Sequence, residues 1–209
     1  MESVSVRERL LLAASELFAD EGYDAVGVEK LRARAGVSNG SFFHLFAAKE
    51  DLAAELLVNC VVNYQAAIIT ALGRCDDAST GVAAIVRTHI RWVMDNQSKA
   101  RFMLDDARAA WFAKAAERLR THNAAFGAAI DRWRAPLLAN GSLRDVSIDV
   151  FLATLIGPAN LICRSWITGR KHSTAAPTRH ENELVALAQQ ALVAAPSHVV
   201  KARRKKNDK

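Results

Sequence analysis

A chain of 209 residues, 51% of them apolar, is long enough to bury a core without covalent or metal staples, either as one large domain or as a small module joined to a larger one. Cys60, Cys75 and Cys163 form neither a CxxC pair nor a Cys/His cluster, which argues against a disulfide framework, and no metal or cofactor is expected. The net charge of +6 would suit a polyanion, but residues 1–52 carry six Lys/Arg against nine Asp/Glu and residues 201–209 carry six against one, so bulk charge does not locate a nucleic-acid site.

With four prolines and ten glycines in an alanine-rich sequence, the expected fold class is all-α. Ser5 stands three residues before Glu8, the spacing of a capping box, and Leu10, Ala13, Ala14, Leu17 and Phe18 follow on one helical face up to a stop at Gly22. Val28 and Leu31 begin a short helix that ends at Gly36. Ser38 caps another that reaches about Leu45. Helices this short are marginal alone and must pack on the first, which is the geometry of a helix-turn-helix. A longer helix over 49–72 reads as a connector. Beyond it the pattern predicts helices over 79–95, 98–108, 109–138, 148–168 (Ser147 as cap, Gly169 as stop) and 181–194, about nine in all. Residues 172–179 read as a loop and the chain from 195 as disordered. Gly157-Pro158 predicts a kink inside the 148–168 helix. There is no signal-peptide pattern and no uninterrupted apolar run of about 18 residues, so the expected setting is soluble and cytoplasmic, with no membrane partner.

The segment EKLRARAGVSNGSFFHLFAAKEDL, from Glu29, resembles the TetR family of bacterial transcriptional regulators. The resemblance covers about 50 N-terminal residues, with Gly22-Tyr23, Val28, Leu31, Ala35-Gly36-Val37-Ser38, Gly40, Phe43, His44, Phe46, Lys49-Glu50 and Leu52 in order. On physical grounds the helix after Ser38 is the recognition helix. Ser38, Asn39 and Ser41 are small or polar enough to approach base edges, Asn39 best of all; Gly40 permits close approach, and Phe42 could touch a thymine methyl. The resemblance implies phosphate contacts from Phe43, His44 and Lys49, with Gly27 and Val28 at the start of the preceding helix also at the DNA. Phe43 replaces the family's usual tyrosine, Arg32 a usual small residue, and Gly27 and Ala48 two hydroxyl caps.

The resemblance further implies a homodimer on double-stranded operator DNA, released by a small effector. It divides the chain into a DNA-binding region at 1–52, a helical effector and dimerisation region at 53–195, and a basic tail at 196–209. Candidate effector residues are His89, Trp92, Arg101, Phe102, Met103, Trp111, His122, Phe126 and Asn160, suited to a hydrophobic or amphipathic molecule. Candidate dimer residues are Ala153, Gly157, Pro158, Leu161, Leu184, Leu187, Ala188 and Ala191. An enzyme is not expected, because no phosphate loop, GxSxG or HExxH occurs and Asp105-Asp106 are adjacent and point apart. The alternative reading is a helical dimeric interaction protein with the same fold and no specific DNA binding.

Overall fold

The structure, a computed structural model, describes residues 4–104, 111–169 and 175–194. The expected tail and parts of the 98–108 helix and the 172–179 loop lie outside the described residues. Those described form nine α-helices: α1 (Val6–Glu21), α2 (Val28–Ala35), α3 (Asn39–Leu45), α4 (Lys49–Leu72), α5 (Ala78–Asp95), α6 (Gln97–Leu104), α7 (Trp111–Ala139), α8 (Ile148–Ile167) and α9 (Glu181–Leu192), with a 3₁₀ turn at Pro177–His180.

Local chemistry sets these boundaries. Ser5 and Glu8 close both halves of the capping box on α1, Ser5 N donating to Glu8 Oε2 at 2.8 Å and Glu8 N to Ser5 Oγ at 3.2 Å. Gly36 ends α2 in the left-handed region at φ 63°, with Gly36 N donating to Ala33 O and Val37 N to Arg32 O, a Schellman pair that turns the chain into α3. Arg9 of α1 reaches across to this turn and donates to the carbonyls of Ala35 and Gly36. Ala48 offers α4 no side-chain cap. Asp51 accepts the Ala48 N–H at 3.1 Å and supplies half of what a hydroxyl would have completed.

In the body, α5 lies between α4, α8 and α9, and α7 runs along α4. Gly81 of α5 is required by this packing, since a Cβ there would fall 1.9 Å from Trp133 Cζ2, and that indole donates to Cys75 O at 2.9 Å. Arg134, 3% exposed, lies over the Phe151 ring and donates to Val146 O and Asp131, which joins α7 to the approach to α8. Pro158 sits inside α8, and the helix runs on past it to Ile167; Pro136, not singled out from the sequence, does the same in α7.

The buried apolar residues among those described form two main clusters. One cluster joins Leu10, Phe18, Val26, Leu31, Phe42 and Phe46 of the helix-turn-helix head to Leu52, Leu56 and Cys60 of α4, Phe102 of α6 and Trp111, Ala115 and Leu119 of α7. The second cluster lies among α4, α5, α7, α8 and α9. The short helices α2 and α3 offer little apolar surface of their own, and the head shares its core with residues of α6 and α7.

Candidate nucleic-acid interface and effector region

On α3 the inward side is aromatic. Phe42 is fully buried, with Phe46 beside it at 6.0 Å between ring centroids. This corrects the expectation that Phe42 meets a base, because adjacent residues on a helix point apart and the buried ring is the one that anchors α3 to α1. The outward side presents Ser38, Asn39, Gly40, Phe43 and His44 to solvent, while Ser41 is half-buried. Ser38 Oγ accepts Ser41 N at 3.1 Å and lies 2.8 Å from Ser41 Oγ, so both hydroxyls serve the helix start. Asn39 and Phe43 stack one turn apart, as do Gly40 and His44. Among the described residues, nothing beyond its own stretch of helix comes within 4 Å of a Cβ built at Gly40, so no packing contact there demands glycine.

Lys49 is placed otherwise than expected. Its Nζ donates to Tyr23 O and Val26 O, both at 3.0 Å, and stands 4.0 Å from the Tyr23 ring centroid. Three donor directions are thereby engaged within the chain, and the residue pins the α1–α2 turn and with it the start of α2. Gly27 precedes α2 exposed and without a side-chain cap; Val28 is half-buried. The other head cations are also occupied: Arg7 pairs with Glu55, Arg9 caps the turn, Lys30 pairs with Glu21 and Arg34 with Glu16. Arg32 is the exception: it is half-buried, and its Nε is buried with no hydrogen-bond partner among the described residues.

The candidate effector residues separate into three groups. His89, Trp92 and Phe126 are buried in the body core. His89 Nδ1 and Tyr64 Oη are 3.0 Å apart, and Trp92 Nε1 donates to Asn63 Oδ1 at 2.8 Å, while His89 Nε2 is buried with no partner. Phe102 and Trp111 belong instead to the core shared with the head, with Met103 against both clusters: Phe102 stacks on Phe18, and Trp111 packs at a tilt against Tyr23. Arg101 bonds to backbone carbonyls of α1 and α8, and His122 faces solvent on the outer side of α7, so neither joins the His89 group. Asn160 is half-buried on α8. Asn63 and Tyr64 escaped the sequence reading, since no spacing pattern connects them to residues more than 20 positions away.

Of the candidate dimer residues, Ala153, Gly157, Pro158 and Leu161 on α8 and Leu187 and Ala191 on α9 are exposed, Leu161 to 68% and Leu187 to 55%. Leu184 and Ala188 instead face inward against the body core, because they fall on the stripe of α9 that includes Val185 and Leu192. Only 28% of the most apolar 18-residue window of α8 is buried.

Residues 10–56 match the family described as bacterial regulatory proteins, tetR family. Over this segment, less than a quarter of its length, the chain is similar to the TetR family. It is similar to the transcriptional activator FasR of Mycolicibacterium smegmatis, 30% identical over 100 residues, which are 48% of this chain and 46% of that one. It is also similar to the repressor KstR2 of the same organism, 38% identical over 56 residues, 27% of each chain. The chain thus spans less than half the length of these curated relatives, which are regulators and not enzymes. The fold continues further than the sequence likeness. The FadR regulator of Bacillus subtilis in complex with stearoyl-CoA superposes with a TM-score of 0.71 at 17% identity, over 86% of this chain and 96% of that one.

Two side chains give measurable expectations. Charge-assisted hydrogen bonds contribute about 1.5–3 kcal/mol, so Lys49→Met should lower denaturant stability by about 2 kcal/mol. It should leave the slope of log affinity for DNA against log salt unchanged, whereas a phosphate-bound lysine would lower that slope by about 1. Burial pushes the His89 imidazole down to about 4 from 6.5. The unfolded chain therefore binds more protons between those values, and the stability tied to neutral His89 is present above about pH 6.5 and lost as pH falls toward 4. Between pH 7 and 4.5 denaturation should show roughly 2–3 kcal/mol more loss for the natural chain than for His89→Gln. Equal losses would place the proton elsewhere.

Proposed function

We propose that this chain is a TetR-family DNA-binding transcriptional regulator acting as a homodimer on a pseudo-palindromic operator, and that it represses until a small effector releases it. The observation that carries the reading is the outward face of α3. Asn39, Gly40, Phe43 and His44 stand free on a helix whose opposite face is locked by Phe42 and Phe46. Asn39 is the base reader, since a carboxamide can pair in two directions with an adenine edge. Gly40 lets the helix backbone approach, and His44 and the uncapped N–H groups at the start of α2 meet phosphates.

The exposed apolar face of α8 with Leu187 and Ala191 of α9 is the surface on which a second copy packs. Two recognition helices then stand about 34–36 Å apart, or a multiple of that spacing. Repression is the simpler sign of action, because a dimer seated on a promoter excludes polymerase by occupancy and needs no activating surface.

Effector binding is assigned to the body around His89. With Tyr64 donating to Nδ1, the neutral ring holds an Nε2–H that is buried and without an acceptor. An apolar or amphipathic molecule with one acceptor group suits this setting, and the acyl chain held by the FadR neighbour is of that class. A tenfold loss of operator affinity requires about 1.4 kcal/mol of difference between the effector's binding to the two states.

Sequencing DNA selected from a random pool by the purified protein should return inverted repeats. Asn39→Ala should lose about 1–3 kcal/mol of preference at one base pair of each half-site while keeping the others. No enrichment by the natural chain would contradict the assignment and favour an interaction protein of the same fold.

A further inference from the structure

α1 and α8 both end against the same side chain. Arg101 of α6 donates Nη1 to Ala19 O in the last turn of α1 and Nη2 to Ile167 O at the end of α8, both at 3.1 Å and both part-buried. The chain leaves each helix through a glycine at positive φ, Gly22 at 85° and Gly169 at 64°, which turns the backbone away and leaves these carbonyls for an outside donor. The carbonyl end of a helix carries partial negative charge. A guanidinium with donors fixed in a planar fork can satisfy two such ends at once, which a lysine ammonium, with no fixed fork, does with less angular control.

We propose that Arg101 is a positioning residue that sets the angle between the head and the α8 face, and thereby the separation of half-sites that the dimer accepts. The proposal rests on the dimeric DNA-binding reading above. α1 packs directly on α2 and on α3, which bears the recognition face, while α8 carries the exposed apolar face. Arg101 joins the two through one residue and two hydrogen bonds. The stacked rings of Phe18 and Phe102 nearby hold the head against the body but restrict sliding weakly, because stacking energy varies little with small offsets. The two hydrogen bonds are directional and fix the remaining freedom. Beside them lies a groove of about 440 Å³ bounded by Phe18, Ala19, Gly22, Ile167 and Thr168, so the guanidinium stands at an open wall, where removal of its donors leaves the helix ends free to shift.

The test uses the inverted repeat that the natural protein selects, with its spacer lengthened or shortened by one and two base pairs. Each added pair moves a half-site by about 3.4 Å. The natural chain should prefer its own spacing by roughly tenfold or more over its neighbours. Arg101→Met, which keeps the apolar stem and removes the donors, should recognise the same half-site bases with that preference reduced to about threefold or less. Arg101→Lys should fall between, and supplies the comparison if the Met variant loses its helical circular dichroism. An equal drop in affinity at every spacing, or an unchanged spacing profile, overturns the positioning role while leaving DNA binding intact. Failure of the natural chain to select any repeat overturns both.

Discussion

The arrangement depends on a closed group of four aromatic rings at the seam between head and body. Phe18 and Tyr23 come from the end of α1 and the turn after it, Phe102 from α6 and Trp111 from the first residue of α7. The stacked pairs Phe18–Phe102 and Phe102–Trp111 have centroids 5.5 and 5.2 Å apart, and Tyr23 closes the circuit against Phe18 and Trp111 at 5.3 and 5.6 Å. Such contacts contribute about 0.5–1.5 kcal/mol per pair beyond simple burial. Lys49 stands over the outer face of Tyr23 and holds the turn that leads into α2, so the start of the reading unit is tied to rings supplied by the body. Ion pairs run beside the seam: Lys114 of α7 donates to Asp51, and Glu55 is shared by Arg7 of α1 and Arg118 of α7.

Under the proposed function, this seam accounts for how a formally acidic head could serve as a nucleic-acid reader. Five of its six cations, Arg7, Arg9, Lys30, Arg34 and Lys49, are engaged in holding the head together and to the body, which leaves little loose positive charge for nonspecific attraction. What the head offers instead is shape, a short helix with a polar and glycine-opened face, and an orientation imposed from behind. Rigid placement raises the yield from few contacts, since a dimer whose two faces already match the helical repeat loses less freedom on binding.

Periodic and capping signals carried most of the fold. The Ser5–Glu8 box, Gly36 and Ser38 placed the head helices, and Ser147 and Gly169 placed α8, because each works through atoms within a few residues. The outward positions on α3 were legible for the same reason. Phe42 was misassigned because two adjacent phenylalanines give no local sign of which one faces α1. The carbonyl contacts of Lys49 were not legible because its partners lie more than 20 residues away, and resemblance pointed only to a phosphate role. Phe102 and Trp111 looked like pocket residues for want of any local signal that the head needs them. Leu184 and Ala188 were expected at the dimer face because an amphipathic stripe identifies the buried face without saying whether this chain or a second copy buries it.

The shared core is tested most directly by hydrogen exchange on the full chain and its Phe102→Ala variant. Truncating a buried phenylalanine costs about 3–5 kcal/mol, and if the rings unite head and body this loss should appear in the backbone amides of α1 and α3 as fully as in those of α6 and α7. Undiminished protection of α1 and α3 in the variant, with loss confined to α6 and α7, would show that the head holds its shape by itself and would contradict the account.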